Sequence, residues 1–150
     1  MPRVLFVCLG NICRSPTAEA VFRVLVPEVE ADSAGTGDWH VGKPPYPPAI
    51  RVAEARGFPM ADLRARTIDV SDFDAFDLIV VMDRQNLKDV EALRPAGNTT
   101  PVRLMLDYLP DAPVTEVPDP YYTGDFDEAL DLITGAARHL GAALRSSSAD

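Results

Sequence analysis

Apolar positions along the chain alternate between two rhythms. Val4-Leu5-Phe6-Val7 is an unbroken apolar run, so Arg3 to Cys8 reads as a buried strand. Pro16 to Val26 then reads as a helix, with Val21, Phe22 and Leu25 on its apolar side. Ser15 is placed to be its N-cap, Pro16 its first helical residue, and Pro27 ends it. Val29 to Ala34 alternates as a second strand. Gly35 to Pro48 carries three glycines and four prolines and reads as a surface loop. Ala49 to Arg56 is a helix that stops at Gly57. Leu78 to Met82 is the clearest strand, continuous and apolar as in a parallel sheet covered on both faces. Asp83 can cap the helix that follows, through about Leu93. Val102 to Leu106 is a fourth strand, and Leu109 to Tyr122 is a Pro-rich, acidic loop. Phe126, Leu130, Ile133, Ala137, Leu140 and Leu144 recur at helical spacing and define a long amphipathic C-terminal helix, with Arg145 to Asp150 as a frayed tail.

Strands alternating with helices predict an α/β fold, a small doubly wound parallel sheet of four strands with right-handed crossovers. The 150 residues fit one domain, spanning 1–150, with a single core. No window approaches the ~18 uninterrupted apolar residues of a membrane span. The first residues lack the basic flank, apolar stretch and cleavage site of a secretory signal. Cytoplasmic residence, away from membranes, is therefore the expectation. A net charge of -9 argues against a nucleic-acid footprint, and any anion site must be positive locally.

Both cysteines lie in one stretch, Cys8-Leu9-Gly10-Asn11-Ile12-Cys13-Arg14-Ser15, between the first strand and the first helix. Two cysteines five apart make neither a disulfide framework nor, without further Cys or clustered His, a zinc site. A thiol, five residues, an arginine and a hydroxyl on a strand-to-helix turn suit a phosphate dianion and a nucleophile that attacks it. Beside a helix N-terminus and an arginine, a thiol pKa of ~8.5 falls into the ~3.5–7.5 range, and the thiolate is the reactive form. Ser15 can donate a hydrogen bond to the Cys8 sulfur. Loop amides can hold phosphate oxygens, Gly10 permits a tight curve, and Arg14 can grip two oxygens with its planar fork. A buried core cysteine is the plain alternative for Cys8. Arg14, Ser15, Gly10 and the helix start, all in register, weigh against it.

These residues resemble the low-molecular-weight protein tyrosine phosphatase family. The resemblance runs through Val7 to Pro16, Ser33-Ala34-Gly35, Asp38-Trp39, Val81-Met82-Asp83 with Asn86, and Asp119-Pro120-Tyr121-Tyr122, and so covers nearly the whole chain. It implies a flavodoxin-like sheet of order 2-1-3-4 with helices on both faces. It implies Cys8 as the nucleophile that forms a phosphocysteine, and Arg14 with the loop amides as stabilisers of the transferring phosphoryl group. Phenolate leaves poorly, its pKa being ~10, so a general acid is needed. The resemblance assigns that role to Asp119, which then serves as base for the hydrolytic water. Without it, Asp119-Pro120 is only the start of a turn. Leu9, Gly10, Asn11, Ile12, Cys13, Ser15 and Ser33 would bind phosphate or support the loop. Trp39, His40, Tyr121 and Tyr122 would wall the site and favour a long, flat phosphotyrosine over phosphoserine. No metal or cofactor is required, since thiolate, arginine and amides cover the chemistry.

Two positions depart from the family pattern. Leu63, in Asp62-Leu63-Arg64-Ala65-Arg66, stands where a histidine often joins the loop network. Tyr46 stands among residues that are usually more polar. The expected partner is a tyrosine-phosphorylated protein, with a cognate tyrosine kinase as its source, and the chain a monomer or weakly self-associating. Three readings compete. A related branch hydrolyses phosphoarginine but carries threonine where this chain has Ile12. Arsenate reduction on the same loop needs relay cysteines, and none follows Cys13. A non-catalytic phosphotyrosine-binding module could dispense with Cys8 or Asp119. A P-loop nucleotidase is excluded by the lack of a Gly-Lys-Ser/Thr loop. Cys13 could also trap an oxidised Cys8 as a disulfide, or simply pack beneath the loop.

Overall fold

Strand β1 (Arg3–Cys8) is apolar on both sides and therefore lies in the middle of the sheet. The structure is a computed structural model and describes residues 2–148. Strands β2 (Glu30–Gly35), β3 (Leu78–Val81) and β4 (Val102–Leu104) complete a four-stranded parallel sheet of order β2-β1-β3-β4. The expected topology is thus observed.

Alternation along β1 splits the core between the two faces. Val4, Phe6 and Cys8 face the cluster built by helices α1 (Arg14–Leu25) and α6 (Phe126–Ser148), and Phe22 of α1 meets Phe6 edge-on with ring centroids 5.2 Å apart. Leu5 and Val7 face the second cluster, with Ile79, Val81, Phe73 of the short α3 (Asp72–Ala75) and Val90 of α4 (Arg84–Glu91). Helix α2 (Pro47–Ala55) packs on α6. A one-turn helix, α5 (Pro120–Thr123), precedes α6. β1 and β3 are neighbours from which the chain winds in opposite directions, so their carboxyl ends form the switch point where doubly wound folds bind ligands.

Several elements differ from expectation, α2 among them, which starts at Pro47 inside the expected loop, and α5, which begins inside the expected acidic loop. Helix α1 starts at Arg14 rather than Pro16, because the Ser15 hydroxyl is used in the loop and not as a cap. β4 stops at Leu104, where a 3-10 turn over Met105–Tyr108 buries Met105 and Leu106 beneath α6. The segment before β3, to which the sequence pattern assigns no element, holds α3, whose Asp72 carboxylate binds the Arg66 guanidinium and the Asp69 amide. The C-terminal helix continues to Ser148, since Arg145 donates to Leu25 O at 2.9 Å and pairs with Glu28. Residues 149–150 of the expected frayed tail lie outside the described residues. Among the described residues, no helix is long and apolar enough to cross a membrane.

Candidate active site

At the carboxyl end of β1 the chain folds a loop from Cys8 to Cys13 and enters α1 directly. The loop's carbonyls turn outward. Cys8 O accepts from Thr36 N at 2.9 Å, Leu9 O from Gly37 N at 2.9 Å, and Ile12 O from Tyr46 N at 2.8 Å. Cys13 O accepts from the Thr17 hydroxyl at 2.6 Å. In a trans peptide the following N–H points opposite to the carbonyl. The amides of Leu9, Gly10, Cys13 and Arg14 therefore face the inside of the loop, as an anion cradle requires.

The curve of this loop is made by Asn11, whose φ of 55° is left-handed. Gly10 was the expected turning residue. Its lack of a side chain instead makes room for His40, because a Cβ there would sit 3.1 Å from the imidazole. Gly35 closes the floor, since a Cβ on it would fall 2.8 Å from Leu9 O.

A buried relay of hydrogen bonds supports the nucleophile. Cys8 Sγ lies 3.0 Å from Ser15 Oγ and accepts from Asn11 N at 3.3 Å. Asn11 Nδ2 donates to Ser15 Oγ at 2.7 Å and to Ser33 Oγ at 3.0 Å, and Asn11 Oδ1 accepts from Arg66 N at 3.0 Å. Because the Ser15 oxygen already accepts from Asn11, its proton is free for the Cys8 sulfur. Ser33 Oγ donates to Glu19 Oε1 at 2.7 Å. Burial pushes the Glu19 carboxyl above its ordinary pKa, against the pull of Ser33 and Arg23. Arg23 meets the other Glu19 oxygen as an ion pair without an aligned hydrogen bond. Sequence reading missed Glu19. Its signal was its place four residues after Ser15, on the same face of α1. Leu63 packs against the main core and makes no polar contribution to this relay.

Arg14 is 3% exposed, and both of its terminal nitrogens have partners. Nη1 donates to Asp83 Oδ2 at 2.7 Å and to Val117 O at 3.1 Å, and Nη2 reaches Asp119 Oδ2 at 3.4 Å. Burial alone would lower the guanidinium pKa, but Cys8, Asp83 and Asp119 together raise it. Asp83 does two jobs. Its Oδ1 accepts from Asn86 N at 2.8 Å as half of a capping box for α4, while Oδ2 holds the arginine. Asp119 likewise caps α5, accepting from Tyr121 N at 3.1 Å.

A cavity of about 340 Å³ opens above the loop. Cys8, Leu9, Gly10, Ile12, Cys13, Arg14, Trp39, His40, Asp119, Tyr121 and Tyr122 line it, while Asn11, Ser15 and Ser33 lie beneath. Trp39 is 66% exposed and lies over Gly37, and Tyr122 is 76% exposed, so both stand at the rim. Tyr46 was not counted among the site residues, yet its ring packs on Tyr121. Burial and the nearby Cys8 raise the Cys13 pKa strongly, which keeps it a neutral thiol.

The model of the family described as low molecular weight phosphotyrosine protein phosphatase matches residues 3–149. The low molecular weight protein-tyrosine-phosphatase YfkJ of Bacillus subtilis (strain 168) is 41% identical over 151 residues, covering 97% of each chain. The low molecular weight phosphotyrosine protein phosphatase of Schizosaccharomyces pombe is 46% identical over 129 residues, 81% of this chain and 82% of its own. The crystal structure of YfkJ superposes with a TM-score of 0.93 at 40% identity over 98% of this chain and 96% of that one. That of DARP, a Drosophila arginine phosphatase, gives a TM-score of 0.86 at 32% identity over 93% and 95%.

Proposed function

The chain belongs to the low molecular weight phosphotyrosine protein phosphatase family, and on that premise we propose that it hydrolyses phosphotyrosine in proteins through a phosphocysteine intermediate. One observation carries the reading: the Cys8 sulfur sits in a loop whose amides face inward, beside an arginine that also touches Asp119. The Cys8 thiolate attacks phosphorus and the bond to the phenol oxygen breaks. Asp119 gives its proton to that oxygen, so tyrosine leaves as the neutral phenol. Water then attacks the phosphocysteine, Asp119 takes a proton from it, and phosphate leaves with the thiolate restored. The loop amides and Arg14 stabilise the phosphoryl oxygens in both steps. Asn11, Ser15 and Ser33 keep the loop in shape for them.

Trp39, His40, Tyr121 and Tyr122 form walls that suit an aryl ring and leave the shorter phosphoserine out of reach of Cys8. Ile12, which lines the cavity, offers an apolar side chain and no acceptor for a guanidinium. It favours an aryl over an arginyl phosphate. The whole of residues 1–150 would work as one domain, in the cytoplasm, where both cysteines stay reduced. A tyrosine kinase must make its substrate. Every catalytic group comes from one chain, so a monomer, or a weakly associating one, is sufficient.

The test is hydrolysis of p-nitrophenyl phosphate in the presence of a chelator by the parent, Cys8→Ser and Asp119→Ala proteins. Cys8→Ser loses activity; full activity there refutes the mechanism. Rates on phosphotyrosine, phosphoserine and phosphoarginine peptides then fix the substrate class, with phosphotyrosine expected to lead.

A further inference from the structure

Tyr46 occupies a position that local energetics would give to another residue. It is the N-cap of α2, where Ser, Thr, Asp or Asn accept a hydrogen bond from the first turn. A phenol ring does not do this, and no side-chain cap bond is made; Pro47 opens the helix instead. Nor is the ring spent on the core, since Tyr46 is 36% exposed.

Its contacts link three parts of the site. The Tyr46 amide donates to Ile12 O of the phosphate loop at 2.8 Å. The ring lies with its centroid 5.2 Å from that of Tyr121 and 6.0 Å from that of Phe126, both within the range of favourable aromatic pairs. Tyr121 in turn donates its own amide to Asp119 Oδ1. On its inner side the acid-bearing turn is held by the buried Pro120 and by Arg14; on its outer side Tyr121 is half exposed and meets the Tyr46 ring, and Gly124 takes a left-handed φ of 75° before α6 begins at Phe126.

We propose that Tyr46 is a positioning residue for the acid. Its ring buttresses Tyr121 and thereby fixes the Asp119-Pro120-Tyr121 turn relative to the phosphate loop, to which the Tyr46 backbone is bonded. The chain gives up a helix cap at this position in exchange. The proposal rests on the reading of Asp119 as general acid.

A displaced acid matters most when the leaving group is poor. The parameter to follow is kcat/KM, which reports the step in which the phenol departs. Phenyl phosphate, whose leaving group needs the proton, is compared with p-nitrophenyl phosphate, whose far more acidic phenol needs it little. Tyr46→Ser restores a cap but removes the ring. It should lower kcat/KM for phenyl phosphate roughly tenfold more than for p-nitrophenyl phosphate. Tyr46→Phe, which keeps the ring, should retain the parental ratio. In an Asp119→Ala background, Tyr46→Ser should leave the ratio of the two substrates unchanged. Equal losses on both substrates, or a further selective loss in the Asp119→Ala background, overturn the proposal. If Asp119→Ala is selective and Tyr46→Ser is not, the positioning role alone falls. If Asp119→Ala has no selective loss, the acid assignment falls and takes the positioning role with it. Should Tyr46→Ser fail to fold, Tyr46→Asn restores the same cap and gives the same comparison.

Discussion

Replacing Asn11 with alanine and with glycine separates its two contributions to the phosphate loop, its backbone conformation and its side-chain bonds. Both variants lose the bonds to Ser15 and Ser33 and the one from Arg66 N. Two of these are ordinary bonds worth about 0.5–1.5 kcal/mol each, and the third leaves a backbone amide without a partner at about 1–3 kcal/mol. The sum is roughly 2–6 kcal/mol, a large share of the ~5–15 kcal/mol that holds a domain folded. Alanine adds left-handed strain at the φ of 55°, about 1–2 kcal/mol that glycine escapes. Glycine loses part of that advantage through its freer unfolded chain, about 0.4–1 kcal/mol. The expected order of stability in urea is therefore parent, then Asn11→Gly, then Asn11→Ala about 1 kcal/mol lower. Catalysis falls for a different reason. Ser15 Oγ lies 3.0 Å from Cys8 Sγ and 3.4 Å from Ala34 O, and the bond it accepts from Asn11 helps hold it toward sulfur. Losing a hydrogen bond to a thiolate costs about 1.5–3 kcal/mol, or roughly 10- to 150-fold in kcat/KM for p-nitrophenyl phosphate. Equal stability of the two variants would refute the backbone argument. Parental kcat/KM in both would refute the relay.

Other outcomes follow from neighbouring residues. The raised pKa of Glu19 means that the folded protein holds a proton there which the unfolded chain gives up. Its contribution is full below the ordinary glutamate range and is lost as pH rises through the folded pKa. Thermal midpoints of the parent relative to Glu19→Gln should therefore decline with pH across that window; a flat difference refutes the shift. Asp83→Asn keeps an N-cap for α4 whereas Asp83→Ala does not, so urea unfolding should rank Asn above Ala by about 1 kcal/mol, with both below the parent for want of the Arg14 ion pair. Peroxide should convert Cys8 to a sulfenic acid, and attack by Cys13 should then release water and leave a Cys8–Cys13 disulfide. Mass spectrometry finding sulfinic or sulfonic Cys8 beside a free Cys13 would sink this idea. The raised Cys13 pKa predicts that closure quickens as pH rises.

The sheet order came with the family resemblance. The parallel four-stranded sheet, the burial of β1 and the position of Cys8 at its end could all be read from the chain, because a continuous apolar strand and a helix start leave little choice between them. Asp119 could not be reached that way. It lies 111 residues from Cys8 in sequence, and only the family resemblance joined the two. Ser15 and Gly10 were given the roles their residue types usually have, cap and turn. Both were displaced by tertiary demand, the hydroxyl by the Cys8 sulfur and the glycine by the His40 ring. Glu19 looks ordinary locally, a glutamate on a helix, and Tyr46 stands out only as a departure from the family pattern, with no role attached. Their meaning comes from Ser33 and Tyr121, far away along the chain.

The pinning of Arg14 also decides where its ordering entropy is spent. A free arginine side chain carries about 2 kcal/mol of rotamer entropy. Here Asp83, Val117 and Asp119 immobilise it during folding, before any phosphate arrives. The fold carries that cost in advance, and the phosphoryl group meets a guanidinium that is already held in place. Binding should then be accompanied by little loss of side-chain motion at this residue. Product phosphate, by favouring the folded state, should in turn act as a thermal stabiliser of the whole domain.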